Sequence, residues 1–304
     1  MKKNIFVLSL IGMFSLFPSL SAATESTDLV ETQYYSSPNK VYEKNEQPQI
    51  TIANFNIAGG LRKHKVDLDL VSKAIKAMGA DIVTLEEVDQ NTTRSDNLDQ
   101  AKIIAEKAGM YYVFGKATEM KGGNYGNAIL SKYPIEKTKV FPLPSGNFEQ
   151  RILMLSKINV PGFDSPIYVF NTHFDWHEED DVRMSQARFI NSIVFDDLDL
   201  DDEFPNLASS IMLLLGDFNS VKNDRVVKEF EKYWNLVKQE NVDTRTWPAG
   251  NPGLDLDHIF TSRNQIWNVE KLVIPNNGEE WNGISWPLVS DHIPVIAKLK
   301  LIEQ

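Results

Sequence analysis

From Gln49 onward, the apolar positions alternate between short β-branched runs and stretches with helical spacing. Gln49 to Ile57 is apolar and β-branched and stops at Gly59-Gly60, which predicts a strand. Leu68, Val71, Ile75 and Met78 recur three or four residues apart, and Gly79 ends them, which predicts a helix. Asp81 to Val88 predicts a short buried strand, and Ala101, Ile104, Ala105 and Ala108 before Gly109 predict a second helix. The middle is richer in strands: Ala128 to Ser131, Arg151 to Val160 before Pro161-Gly162, and Ile167 to Thr172. Val182 to Val194 reads as a helix, and the apolar run Ile211 to Leu215 as a strand buried on both faces. Val295, Ala297, Leu299 and Leu301 alternate with Lys298 and Lys300 at the period of a strand. No repeat, low-complexity tract or interior linker interrupts this order. It predicts a single α/β (α+β) domain over residues 48–304, with mixed sheets and helices outside them.

The first residues differ in kind. Lys2 and Lys3 precede an apolar run from Ile5 to Phe17, then Pro18 and the small residues Ser21-Ala22-Ala23. That is the layout of a secretory signal over residues 1–23, and the run is too short to span a bilayer. Residues 24–47 are polar and aperiodic and read as a flexible lead-in. The expectation is export to the periplasm or the medium, with no transmembrane span in the mature chain. The absence of cysteine excludes disulfides, thiolate zinc sites and cysteine nucleophiles. Formal net charge is −11, and loss of Lys2 and Lys3 with a cleaved leader makes it two more negative. A protein that grips a long nucleic acid carries a basic face. The one dense basic cluster here, Arg62-Lys63-His64-Lys65, reads as a solvated loop. Bulk charge therefore favours a small phosphorylated substrate, although a local groove can be basic on an acidic protein.

Candidate chemistry lies in where the polar residues fall. Apolar strands end in Asn54 and Asn56, Glu86 and Glu87, Asn171, His173 and Asp175, and Asp217 and Asn219. Asp255, Asp257 and His258, and then Asp291 and His292, repeat the pattern. Buried carboxylates are costly unless paired or bound to a cation, so their recurrence predicts convergence on one site. Hard oxygen donors suit Mg²⁺, with Mn²⁺ as the alternative, and such a cation polarises a phosphoryl oxygen. An attacking water needs a base, which Asp217 or an Asp291–His292 pair can supply. His173 and Asn219 can donate to charge developing on the phosphoryl group. Singly, each of these residues has a plainer reading as a turn or cap. Met110, Tyr111 and Tyr112 read as packing, and Trp176 as packing or as the wall of a substrate pocket.

These segments together resemble the endonuclease/exonuclease/phosphatase superfamily, in order along nearly the whole mature chain. The matching runs are Asn54-Phe55-Asn56-Ile57, Leu85-Glu86-Glu87-Val88-Asp89, Tyr125 to Ser131, and Glu149 with Arg151. Asn171-Thr172-His173-Phe174-Asp175, Gly216-Asp217-Phe218-Asn219, Leu256 to Phe260 and Ser290-Asp291-His292-Ile293-Pro294 complete the set. The resemblance implies a four-layer sandwich of two mixed β-sheets flanked by helices. It implies Asn56, Glu87 and Asp291 at the metal, and His173, Asp217, Asn219, Asp257 and His292 as the catalytic set. Within that set, Asp257 is expected to orient His173 or polarise the site. Asn127, Arg151 and Trp176 are the expected substrate-binding residues. The implied activity is metal-assisted attack of water on a phosphodiester or phosphomonoester of a lipid head group, sugar phosphate or similar molecule. The alternative is a nuclease using the same site, and a monomer is expected. Two departures stand out. Glu86 replaces the usual glutamine and is expected on the opposite face from Glu87, as a satisfied charge. His258 replaces a common tyrosine or arginine and is given no role. His173-x-Asp175-x-His177 also matches part of a β-lactamase-like zinc motif, but too few histidines remain to complete it.

Overall fold

The computed structural model describes residues 47–62, 65–195, 200, 204, 207–275 and 281–303. The expected signal peptide and nearly all of the lead-in lie outside these residues. In chain order the elements are β1 (Gln49–Asn56), β2 (Leu61–Arg62), β3 (Lys65–Val66), α1 (Leu68–Met78), β4 (Ile82–Gln90), α2 (Gln100–Ala108), β5 (Tyr111–Met120), β6 (Gly123–Ser131) and β7 (Ile135–Pro142). They continue with β8 (Ile152–Ile158), β9 (Ile167–His173), α3 (Asp181–Phe195), β10 (Ile211–Asp217), α4 (Arg225–Phe230), β11 (Trp234–Leu236), β12 (Asp257–Ser262), β13 (Ile266–Val273), α5 (Trp286–Val289) and β14 (Val295–Glu303). The helices begin and end where side-chain chemistry requires it. Asp67 and Asp99 accept from the Leu70 and Lys102 amides at the starts of α1 and α2, and Gly79 and Gly109 close them in the left-handed conformation.

Two six-stranded sheets form, with orders β13-β14-β1-β4-β6-β5 and β11-β12-β10-β9-β8-β7. Each is mixed. The central pairs β1–β4 and β9–β10 are parallel and their flanking neighbours antiparallel. Parallel neighbours need a crossover, which α1 and α3 provide. Three apolar clusters make four layers. One packs α1 and α2 on the first sheet, one packs α3 and α4 on the second, and the third fills the gap between the sheets. The expected four-layer sandwich is the observed fold. The basic cluster at Arg62 to Lys65 is a short β2–β3 hairpin, with residues 63–64 outside the described set.

The inward face of the central strands decides where the site lies. Along β1 it reads Ile50, Ile52, Asn54, Asn56; along β9, Ile167, Val169, Asn171, His173; along β10, Ile211, Leu213, Leu215, Asp217. Aliphatic side chains fill the inter-sheet gap for most of its length and give way to polar ones at a single edge. Each aliphatic position there contributes about 1.5–3 kcal/mol on burial. Asn171 bridges the layers, donating to the carbonyls of Leu85 and Ala128 at 3.0 and 2.9 Å.

Not every site residue closes a strand, as the sequence pattern predicted. Asp257 opens β12, and Asp291 and His292 precede β14. β12 and β14 run antiparallel to β10 and β1, so the starts of the former lie beside the ends of the latter; Asp257 is directly opposite Asp217. β9 and β10 approach closely at Gly216, where an added Cβ would sit 2.2 Å from the Thr172 carbonyl oxygen. Gly216→Ala is expected to cost about 1–3 kcal/mol or more, because backbone rather than a flexible side chain must shift. Urea unfolding checks this, and an unchanged midpoint would contradict the close approach.

Candidate active site

One cleft of about 490 Å³ opens at this polar edge, and Glu87, Arg151, His173, Trp176, Asp217, Asn219, Asp291 and His292 all line it. Asn56 and Asp257 lie just behind the wall, hydrogen-bonded to lining residues. Asn127 is buried and is not among the lining residues, so of the three expected substrate contacts two reach the cleft. Arg94, Met120, Tyr125, Trp247, Leu254 and Leu256 also line it and were not anticipated. Tyr125 and Leu256 open two of the matching runs, which gave these positions no role; the other four lie outside any recognisable motif. A larger recess of about 590 Å³, lined by Asn241, Arg245, Pro252 and Trp286 among others, holds none of the expected site residues.

The centre is a hydrogen-bonded chain. Asp257 accepts from Asn54 Nδ2 at 3.2 Å, from Thr246 Oγ1 at 2.6 Å and from His292 Nδ1 at 2.8 Å. A carboxylate can only accept, so His292 Nδ1 carries a proton. Its Nε2 lies 3.6 Å from Asp217 Oδ2, and His173 Nε2 lies 3.7 Å from the same oxygen. Asn56 Nδ2 joins this oxygen to Glu87, donating to both at 3.0 Å, while the Asn219 amide donates to Asp217 Oδ1 at 2.9 Å. Asn219 has φ +48, a left-handed turn that brings its backbone N–H back onto the aspartate. Asp257 therefore orients His292 and not His173, and His292 is paired with Asp257 and not with Asp291. Asp291 instead accepts from Trp247 Nε1 at 3.3 Å.

His173 is oriented by Arg151, whose Nη1 lies 3.0 Å from His173 Nδ1 and 3.1 Å from Glu149 Oε1. Arginine only donates, so Nδ1 is the acceptor and the proton of the neutral ring is on Nε2, directed toward the cleft. Burial, with the Arg151 and His292 charges, holds the His173 pKa well below the usual histidine range. Burial alone would lower His292 as well, but the Asp257 and Asp217 charges and the Asp257 hydrogen bond push it up to about 10. Burial and the Asp257 charge raise Asp217 to about 7, against His292 and Asn56. The cleft thus sets a neutral imidazole donor, an imidazolium and a carboxyl near neutrality around one point.

Glu87 reaches the cleft through a β-bulge. Val83, Leu85 and Val88 all pack on the helix side of β4, so the alternation slips by one between Leu85 and Val88, and Glu87 has φ +55. Such bulges re-aim side chains next to active sites. Glu86 follows Ile82 and Thr84 in plain alternation and points into the inter-sheet gap, fully buried, and neither carboxyl oxygen has a hydrogen-bond partner among the described residues. It is not a satisfied charge. Burial first, then the Asp257 and Asp217 charges, hold its pKa well above the carboxylate range. Burial raises Glu87 also.

The donor set fits a hard divalent cation. Glu87, Asp217 and Asp291 line the cleft, with Glu86 and Asp257 behind it, whereas Arg94 and Arg151 are committed to Asp89 and Glu149. The His292 imidazolium is the one cation among the described residues that faces Asp217 and Asp257, so carboxyl groups outnumber positive charges at this edge, an excess that a divalent cation would relieve. Among the described residues, the ligand atoms lying within 4.8 Å of one another belong to Asp217, Asp257 and His292, a different trio from the expected Asn56, Glu87 and Asp291. Their proximity follows from the Asp257–His292 hydrogen bond. The zinc motif does not assemble: among the described residues the ligand atoms of His173, Asp175 and His177 form no common cluster, and the Asp175 carboxylate is taken up by His177.

The raised carboxyls have a thermodynamic consequence. A group whose folded pKa exceeds its unfolded value stabilises the fold below the unfolded pKa, and this is lost as pH rises through the folded one. For Asp217 the window runs from about 4 to about 7. Metal-free protein is expected to lose thermal stability over that range, and Mg²⁺ to restore more at pH 7.5 than at pH 5. Thermal unfolding with Mg²⁺ and with chelator measures both; a metal effect independent of pH would contradict the coupling.

A two-sheet sandwich with a carboxylate–histidine cleft at one strand edge defines a class of hydrolase fold. The sequence model of the Endonuclease/Exonuclease/phosphatase family matches residues 53–292, and the chain belongs to that family. Its members are hydrolases acting on phosphoester bonds. The Escherichia coli (strain K12) protein YbhP is 22% identical over 273 residues, covering 85% of this chain and 99% of that one. The endonuclease/exonuclease/phosphatase from Bacteroides vulgatus superimposes with a TM-score of 0.63 at 19% identity, over 84% of this chain and 100% of that one. The human Nocturnin catalytic domain with bound sulfate anion gives 0.61 at 16% identity, over 90% and 97%. Among the described residues no helix is long and apolar enough to cross a membrane.

Proposed function

We propose that the chain is an exported Mg²⁺-dependent phosphoesterase that hydrolyses a small phosphorylated molecule by attack of water. The carrying observation is the convergence of Asp217 Oδ2, His292 Nε2 and His173 Nε2 within one cleft. Glu87, Asn56 and Asp291 are the proposed metal ligands, and the bound cation would stabilise negative charge on the phosphoryl group and its leaving oxygen. Asp217, raised to about 7 and fixed by Asn56 and the Asn219 amide, is the base that takes the proton from water. His292, held as an imidazolium by Asp257, and the neutral His173 Nε2–H donate to the phosphoryl oxygens. The sulfate on Nocturnin, a tetrahedral anion on a related fold, is in keeping with a phosphoryl site.

Cleft charge favours a small substrate over a polynucleotide. Its two arginines are already paired, and Glu87, Glu149, Asp217 and Asp291 share the same walls. A backbone-tracking nuclease needs a run of unpaired cations. The test compares Mg²⁺-dependent turnover of small phosphodiesters and phosphomonoesters with that of plasmid DNA. Cleavage of small esters is the expected result; rapid cleavage of DNA alone would establish the nuclease alternative.

A further inference from the structure

Trp176 is 64% exposed at the cleft wall, three residues after His173. Folding does not account for it: a large aromatic left in water forgoes the burial that ordinarily stabilises the fold. Nor is it loosely held. Its indole stacks on the His177 ring with centroids 4.4 Å apart and planes 19° apart, and His177 packs in turn, tilted by 32°, on the Phe148 ring at 3.9 Å. The backbone beneath is pinned to α3. The Asp175 carboxylate accepts from the His177 amide and from His177 Nδ1, and Arg183 donates to the carbonyls of Asp175 and His177. The outcome is a file of three rings, fixed in advance, with its open end at the cleft.

We propose that the Trp176 face is the binding platform for a planar ring carried on one ester arm of a small phosphorylated substrate, a nucleoside phosphate or a comparable heteroaromatic ester. The proposal rests on the phosphoesterase reading of the same cleft and narrows its substrate class. A planar ring extends the file as a fourth member, with stacking geometry already set by the first three. A quaternary ammonium is favoured by rings placed around a common centre, whereas these three lie one behind another. A polynucleotide also stacks on aromatic rings, but it needs the unpaired cations that the cleft lacks. Holding the ring in advance places the phosphoryl group without further ordering of the loop, which lowers the entropic cost of binding.

The experiment is calorimetric titration of the protein in Mg²⁺ with three non-hydrolysable analogues of the adenosine, ribose and choline phosphate esters, each with a methylene group in place of the bridging ester oxygen, and with a single-stranded phosphorothioate oligonucleotide. The adenosine ester is expected to bind about tenfold or more tightly than the ribose ester. That ratio should fall to near one in Trp176→Ala and survive in part in Trp176→Phe, with circular dichroism checking that both variants fold. Equal binding of the adenosine and ribose esters, a preference undiminished in Trp176→Ala, or tighter binding of the choline ester or the oligonucleotide would overturn the platform while leaving the phosphoryl site standing. Failure of every phosphonate to bind would overturn the phosphoesterase reading along with it.

Discussion

His292→Ala is expected to lower kcat/KM by about 10²–10⁴-fold while the protein stays folded. The imidazole is the meeting point of two arms: Nδ1 is bound to Asp257, and Nε2 faces the oxygen of Asp217. Its removal takes away the donor to the phosphoryl group and leaves Asp257 and Asp217 without the cation between them. Asp257→Asn separates charge from shape. The amide keeps the size and can keep the Thr246 and His292 bonds through its oxygen, but it loses the Asn54 bond and the charge that chiefly raises His292 to about 10. The imidazole should then titrate lower, so the alkaline limb of the pH–rate profile moves down in pH. A profile unchanged in Asp257→Asn would remove His292 from the role of charged donor. Turnover unaffected in His292→Ala would remove it from the reaction.

The second large effect is expected at Glu87. Glu87→Ala should weaken activation by Mg²⁺ by at least about 100-fold, because the left-handed bulge exists to aim this carboxylate into the cleft. Its neighbour supplies the contrast. Glu86 points into the gap between the sheets, so Glu86→Gln should leave Mg²⁺ activation within a few-fold. It should also raise the unfolding midpoint more at pH 8 than at pH 5. The sign follows from the raised pKa: ionising Glu86 in the folded protein is penalised, and the penalty grows as pH rises above the unfolded value. Metal titrations followed by turnover and by thermal unfolding measure both variants. Equal loss of Mg²⁺ activation in the two would mean that the bulge does not separate their functions.

Much of the architecture was legible because it is periodic. The β1, β4, β9, β10 and β14 runs and the α1, α2 and α3 spacings each record a buried face in the order of residues, and the glycines after α1 and α2 mark where those helices stop. β5, β7 and β13 were less legible. β7 carries lysines at alternate positions, and β13 is an edge strand with much of its length exposed, so neither reads as an apolar run. The convergence of Asn56, Glu87, His173, Asp217 and His292 was legible for a further reason: each lies where an apolar run gives way to polar residues, at an element end or a bulge, and a buried polar group there needs partners from other strands.

The chain order determined which residues are available for chemistry, because the inward row of the central strands turns from aliphatic to Asn, Asp and His at one end. Partnership was decided by the tertiary structure alone. Asp257 faces Asp217 because β12 returns antiparallel beside β10, and that register, not proximity in sequence, gives His292 its carboxylate and leaves Asp291 to Trp247. The bulge at Glu87 was likewise hidden, since one extra residue re-aims a side chain and shifts the alternation beyond it without altering a letter of the sequence.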